Sequence, residues 1–98
     1  MYKPNPIDTS AVELPNDLLE LTEKIAENVH EVWSENRIID GWKYGEVRND
    51  AKKETPCLVP YNELPEREKD YDRNTALETI KLIIKLGYEI KIKRGNYE

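Results

Sequence analysis

Two tryptophans and two arginines near the middle of the chain are the residues best suited to bind a ligand. Trp33 and Arg37 are four residues apart, and Trp42 and Arg48 follow shortly after them. Aromatic rings offer flat faces for stacking, and a guanidinium group forms paired hydrogen bonds with a carboxylate or a phosphate. A planar anion such as a nucleotide would use both kinds of contact. We therefore predict a ligand-binding site formed by His30, Trp33, Arg37, Trp42, Tyr44 and Arg48.

The same residues also fit a purely structural interpretation. In that case Trp33 and Trp42 fill a small core, and Arg48 pairs with Asp50 or with acidic residues of a helix. His30 is then a half-buried packing residue rather than a ligand or a proton donor. Both interpretations remain open at the level of the sequence.

Two segments resemble the beginning of a metal site, and both lack ligands that such a site needs. The segment 30–34 starts like a zinc-protease helix, but the chain has no second histidine. The segment 70–74 starts like an EF-hand loop, but Thr75 stands where glycine is needed and Lys81 where a bidentate glutamate is needed. We predict no metal and no other cofactor.

Catalytic chemistry is also poorly represented in the sequence. Cys57 and His30 could in principle act as a nucleophile and its base, but Cys57 lies in an apolar run before Pro60, which favours a buried structural thiol. The chain has neither a P-loop nor the glycine-rich fingerprint of dinucleotide-binding proteins. We therefore predict a protein that is not an enzyme.

Length and charge restrict the remaining function classes. Ninety-eight residues are enough for a single domain. Twenty acidic and fifteen basic residues give a net charge of −5, which argues against a nucleic-acid polymer as partner. The longest aliphatic run, residues 82–84, is too short to cross a bilayer, and the first residues lack the apolar run of a signal peptide. We expect a cytoplasmic protein without membrane contact.

An extended arm and an amphipathic helix account for the first part of the chain. Prolines 4, 6 and 15 favour extended backbone over residues 1–15, and Asn16 is a suitable N-cap for a helix over residues 17–36. Glutamates line the back of this helix, either as a solvated face or as a ridge for basic groups. Ala26, His30, Trp33 and Arg37 lie at one edge of the apolar stripe. That stripe consists of Leu18, Leu21, Ile25, Val29 and Val32.

A long irregular loop and a second helix follow. Glycines and prolines interrupt residues 38–60, and loops of this length in compact domains are often functional. Residues 57–59 are expected to form a short extended piece. The second helix, over residues 63–86, ends before Gly87 and is apolar nearly all round, which predicts a central position or a self-association face. Residues 88–93 alternate with the period of a half-exposed strand, and residues 88–98 form the tail.

Several blocks of the sequence, taken in order, closely resemble one known family. They are Tyr2 to Ser10, Leu14-Pro15, Ala26 to Trp33, Gly41 to Gly45, Arg48 to Asp50, Pro56 to Tyr61, Leu64-Pro65, Tyr71 and Leu77 to Thr79. Together these blocks resemble the RyR domain. This repeat occurs in pairs in ryanodine receptor calcium channels and alone in bacterial and phage proteins. Glu46 and Thr55 depart from the channel pattern, which usually has proline and histidine there. The similarity runs from Tyr2 to Tyr88, so residues 1–98 are expected to form one RyR-type domain.

The resemblance implies a mainly α-helical, non-catalytic module of two long helices with irregular connections. A single repeat has no pore, so calcium conduction is not expected. A homodimer could take the place of the paired repeats, through Ala76, Ile80, Ile83 and Leu86 of the second helix. We expect a module that senses a small anionic ligand. The alternative is a protein-interaction or scaffold module without such a ligand, which would present a flat apolar patch instead of a concave site.

Overall fold

The computed structural model describes residues 1–93 and has two long helices joined by a loop with little regular structure. This confirms the predicted mainly α-helical fold. Residues 1–15, predicted to be an extended arm, form no helix or strand and contain a turn in which the Val12 N–H donates to the Thr9 carbonyl. The elements in chain order are helix α1 (Asn16–Ile39), strand β1 (Lys43–Tyr44), strand β2 (Glu54–Thr55), a 3-10 helix (Tyr61–Glu63) and helix α2 (Glu66–Lys85). No helix within these 93 residues is both long enough and apolar enough to cross a membrane.

Helix α1 differs from its predicted bounds at both ends. Asn16 is its first helical residue and not its N-cap, because Pro15 occupies the cap position and its carbonyl accepts the N–H groups of Leu18 and Leu19. At the other end the helix continues for three residues beyond the predicted limit, to Ile39. It stops there because Gly41, with φ of 94°, adopts the left-handed conformation that closes helices.

The buried face of α1 is rotated from the face that the apolar pattern predicts, toward Ala26 and His30 at its edge. Leu18 is buried as expected, but Leu21 and Val32 are 38% and 49% exposed. The buried positions recur every four residues, at Leu18, Thr22, Ala26 and His30. The small residues Thr22 and Ala26 are favoured there because they let other parts of the chain approach the helix closely. Ala26, which is fully buried, forms the core cluster with Tyr61 and Leu64.

Helix α2 is less buried than its composition predicts. Ala76 and Ile80 are buried within the single chain, whereas Ile83 and Leu86 are 38% and 60% exposed. Of the two predicted alternatives, a central position of α2 is therefore not found within the single chain, and a self-association face stays a prediction. Because Ala76 and Ile80 are buried, a second copy of the chain cannot contact them. Of the four residues of the predicted dimer surface, only Ile83 and Leu86 are exposed.

The loop between the helices contains a small sheet that the sequence does not predict. Strands β1 and β2 pair in parallel, Lys43 with Glu54 and Tyr44 with Thr55. Residues 57–59, predicted to be extended, carry no strand. Residues 88–93 also belong to no helix or strand, because a strand needs a neighbour to pair with. The rest of the predicted tail, residues 94–98, lies outside the described part.

One ion-pair network joins the two helices. The Arg73 guanidinium of α2 donates to Glu23 of α1 at 2.8 and 3.2 Å, and also to Glu66 and Asp70 of its own helix. The Tyr61 hydroxyl donates to the same Glu23 carboxylate at 3.0 Å. Hydrogen bonding to Arg73 lowers the pKa of Glu23, and burial followed by hydrogen bonding to Glu23 raises the pKa of Tyr61 to about 12.

Candidate functional site

Five of the six predicted site residues lie in one continuous stack of rings and guanidinium groups. The His30 ring lies 5.6 Å from the Trp33 ring, centroid to centroid, at an interplanar angle of 21°. The Arg37 guanidinium lies 5.4 Å from the centroid of Trp33 and 5.0 Å from that of Trp42. Arg48 lies 5.4 Å from the centroid of Trp42 on the loop side. We call the four residues Trp33, Arg37, Trp42 and Arg48 the Arg–Trp stack.

The end of helix α1 explains how three members of the stack come together. Trp33 and Arg37 are one helical turn apart, which places them on the same face of α1. After the helix, the Gly41 N–H binds the Ile38 carbonyl and the Trp42 N–H binds the Arg37 carbonyl at 2.9 Å. This pair of bonds is the Schellman motif of helix ends. It reverses the chain so that the Trp42 ring lies over the Arg37 side chain.

Arg48 reaches the stack from the turn that precedes β2. Asn49 exchanges two backbone hydrogen bonds of 2.9 Å with Glu54, and its side chain accepts the Lys52 N–H. Lys53 adopts a left-handed conformation, with φ of 55°, and its ammonium group donates to the Asp40 carbonyl at the end of α1. The turn is thereby tied to the helix end, which places Arg48 next to Trp42.

The two arginines of the stack differ in their electrostatic partners. Arg48 donates to both carboxylate oxygens of Asp50, at 2.7 and 3.4 Å, and this hydrogen bonding lowers the pKa of Asp50. The pairing of Arg48 with Asp50 agrees with the structural interpretation of the sequence. Arg37, in contrast, has no ion-pair partner among residues 1–93 and is half-buried between the two indole rings.

Two predicted site residues occupy positions that the sequence does not indicate. Tyr44 lies on β1, is 53% exposed and takes no part in the stack. His30 is buried, at 3% exposure, and is not the half-covered edge residue that was predicted. Its Nε2 donates a hydrogen bond of 2.7 Å to the Val59 carbonyl, which ties α1 to the loop.

A small cavity of about 90 Å³ lies beside the stack. Trp33 and His30 border it, whereas Trp42 and Arg48 do not. Four of the other lining residues were not predicted: Leu64, Glu68, Tyr71 and Asp72, with Cys57 completing the wall. The only sequence signal for Asp72 was its place in the incomplete EF-hand pattern, which suggested a different chemistry. The cavity is far smaller than the roughly 300 Å³ of typical small-molecule pockets, so it cannot enclose a nucleotide.

The side chains that line the cavity determine which catalytic or metal-binding chemistry it could support. Burial raises the pKa of the Cys57 thiol, and the nearby Glu68 raises it further, so the thiol is mainly protonated and a weak nucleophile. Burial also raises the pKa of Asp72, against the opposing effect of His30. Within the part of the chain that the structure describes, no three acidic, cysteine or histidine side chains are grouped closely enough to hold a metal ion.

These observations define the class of the protein. It is a two-helix module with a stack of arginines and tryptophans at the end of one helix. Comparison with known families gives a match to the model described as the RyR domain, over residues 2–92. The match covers nearly the whole chain, so the chain belongs to the RyR domain family. This confirms the resemblance seen in the sequence blocks.

Proposed function

We propose that this chain is a non-enzymatic RyR-domain module whose Arg–Trp stack binds a small planar anion such as a nucleotide. The observation that carries the proposal is the position of Arg37. Its guanidinium lies between two indole rings and forms no ion pair among the described residues, although its charge contributes to lowering the pKa of the Asp50 carboxyl. Cation–π contacts use the faces of the guanidinium and leave the N–H groups at its edge free to bind an anion.

The open shape of the site favours a ligand that lies on the stack rather than inside the protein. Trp33 and Trp42 are both half-buried, so part of each indole remains exposed beside the two guanidinium groups. Arg48 adds a second guanidinium, which an incoming phosphate would share with Asp50 or take from it. We extend the proposal to a cytoplasmic protein that conducts no calcium.

The position of both tryptophans provides a direct test of the ligand site. The chain has only two tryptophans and both belong to the stack, so intrinsic tryptophan fluorescence reports on this site alone. A panel of nucleotides and inorganic phosphate would be titrated while fluorescence and the unfolding temperature are followed. A ligand at 100 times its Kd stabilises the fold by about 2.7 kcal/mol, which raises Tm by about 10 °C or more in a domain of this size.

A matched pair of variants then locates the binding site. Arg37→Gln removes the charge and should weaken binding by at least about tenfold, as expected for a lost charged hydrogen bond. Arg67→Gln, at an exposed position of α2, should leave the affinity unchanged. Equal affinities of the two variants would show that the anion binds elsewhere, and no binding across the panel would contradict the proposal.

Exposed apolar side chains favour a second candidate function, a protein-interaction module or homodimer. Ile83 and Leu86 on α2, and Leu21 and Val32 on α1, are between 38% and 60% exposed. If Ile83 and Leu86 form a dimer contact, light scattering at micromolar concentration should give twice the chain mass of 11.5 kDa. Ile83→Glu should then restore the monomer, whereas Ile39→Glu, at the exposed end of α1, should not. A monomeric mass of the unmodified protein would contradict the dimer.

A further inference from the structure

The segment that follows helix α2, residues 88–93, carries backbone hydrogen-bonding groups that the single chain does not use. At its start, the Tyr88 N–H still binds the Ile83 carbonyl of the helix. After that point, the backbone of residues 89–93 forms no hydrogen bond with any other part of residues 1–93. A row of unpaired N–H and C=O groups is the feature with which another strand pairs.

The side chains of this segment alternate between apolar and charged, as they do in a strand with one covered face. The alternating residues are Tyr88, Glu89, Ile90, Lys91, Ile92 and Lys93. The Glu89 carboxylate lies 3.6 Å from the Lys91 ammonium group, so these two charged side chains lie on the same side of the chain. Of the apolar residues, Tyr88 and Ile92 are 68% and 73% exposed, and Ile90 is half-buried. The apolar row is therefore largely uncovered in the single chain.

The order of the charges indicates which strand fits this segment, namely the same segment of a second copy. Two copies paired in parallel and in register would place Glu89 against Glu89 and Lys91 against Lys91, which is unfavourable. In an antiparallel pair centred on Ile90, Glu89 of each copy lies opposite Lys91 of the other. Tyr88 then lies opposite Ile92. Pairs of opposite charge, and pairs of an aromatic with a β-branched residue, both stabilise neighbouring strands.

The neighbouring antiparallel registers fit less well. A shift by one residue places every charged side chain opposite an apolar one. A shift by two residues places Lys91 opposite Lys91 in one direction and Glu89 opposite Glu89 in the other. Among these registers, only the one centred on Ile90 gives complementary partners from Tyr88 to Ile92. It also has the two-fold symmetry that closes a dimer of identical chains.

We propose that residues 88–92 pair with the same residues of a second copy of this chain, as an antiparallel two-stranded sheet centred on Ile90. The two α2 helices then join the sheet at opposite ends, so the pairing does not require Ile83 and Leu86 to meet. It is also independent of the anion site. A two-stranded sheet is only marginally stable by itself, so the dimer is weak and reversible, with a Kd above about 10 μM.

A charge exchange tests the pairing. Sedimentation equilibrium of the full chain between about 10 μM and about 1 mM measures the Kd of the dimer. Glu89→Lys places a positive charge opposite Lys91 at both symmetric pairs and should raise this Kd by about tenfold or more. The double variant Glu89→Lys with Lys91→Glu restores opposite charges in exchanged order and should dimerise like the wild type. Glu20→Lys, at an exposed position of α1, makes the same change in net charge as the single variant and should leave the Kd unchanged.

Cysteine cross-linking tests the register. With Cys57→Ser in place, Ile90→Cys brings the two introduced thiols directly opposite each other, at a Cα separation that a disulfide can span, and mild oxidation should give a covalent dimer. Glu89→Cys leaves the two thiols two positions apart, so it should give none. A monomer over the whole concentration range, or equal cross-linking of the two cysteine variants, would overturn the inference. A dimer that is lost in Ile83→Glu but kept in Glu89→Lys would also overturn it, while leaving the helix contact in place.

Discussion

Replacing Ile80 by alanine is expected to lower the free energy of unfolding by about 2–4 kcal/mol. Ile80 is 3% exposed and is one of only six buried apolar residues in the described part of the chain. The substitution removes three methyl or methylene groups from this core and leaves a cavity that the remaining residues refill only in part. A domain of 98 residues has a total stability of about 5–15 kcal/mol, so the loss is a large fraction of it.

Urea unfolding followed by circular dichroism measures this effect. Ile39→Ala is the matched control, because Ile39 is also a helical isoleucine but is 74% exposed. It should change the free energy of unfolding by less than about 0.5 kcal/mol. Equal losses in the two variants would mean that Ile80 is not in the core and that α2 packs on α1 through another face.

The second large effect is a loss of stability at alkaline pH that depends on Tyr61. Burial, together with the hydrogen bond to Glu23, raises the pKa of Tyr61 to about 12 in the folded protein. The usual value of about 10 applies in the unfolded chain, which therefore releases this proton first as the pH rises. The stabilisation is complete below pH 10 and is lost between pH 10 and 12. It amounts to at most about 2–3 kcal/mol.

The free energy of unfolding of wild type and Tyr61→Phe would be compared between pH 8 and pH 12. The variant lacks the titrating hydroxyl and should show a smaller fall over the upper part of this range. Tyr44→Phe removes an exposed hydroxyl and should fall as steeply as the wild type. If Tyr61→Phe also retains the full slope, the alkaline loss belongs to other groups, and the Tyr61 hydroxyl is not held by Glu23.

Local sequence determines the two helices of this protein and the relative position of Trp33 and Arg37, which are two of the four residues of the Arg–Trp stack. The apolar repeats and the helix-ending residue Gly87 predict two helices with a long loop between them, because helix formation depends on neighbouring residues. The spacing of Trp33 and Arg37 by one turn is also a local property. The ordered blocks of the sequence were sufficient to indicate the RyR domain family.

Only the tertiary structure decides which face of α1 is buried and which distant residues meet. Amphipathic periodicity favours Leu21 and Val32, but the chain buries Thr22 and Ala26, since small side chains permit close approach of Tyr61 and Leu64. The meeting of His30 with Asp72 joins residues 42 positions apart. No local pattern encodes such a pairing, because it follows from how the helices and the loop fit together in space.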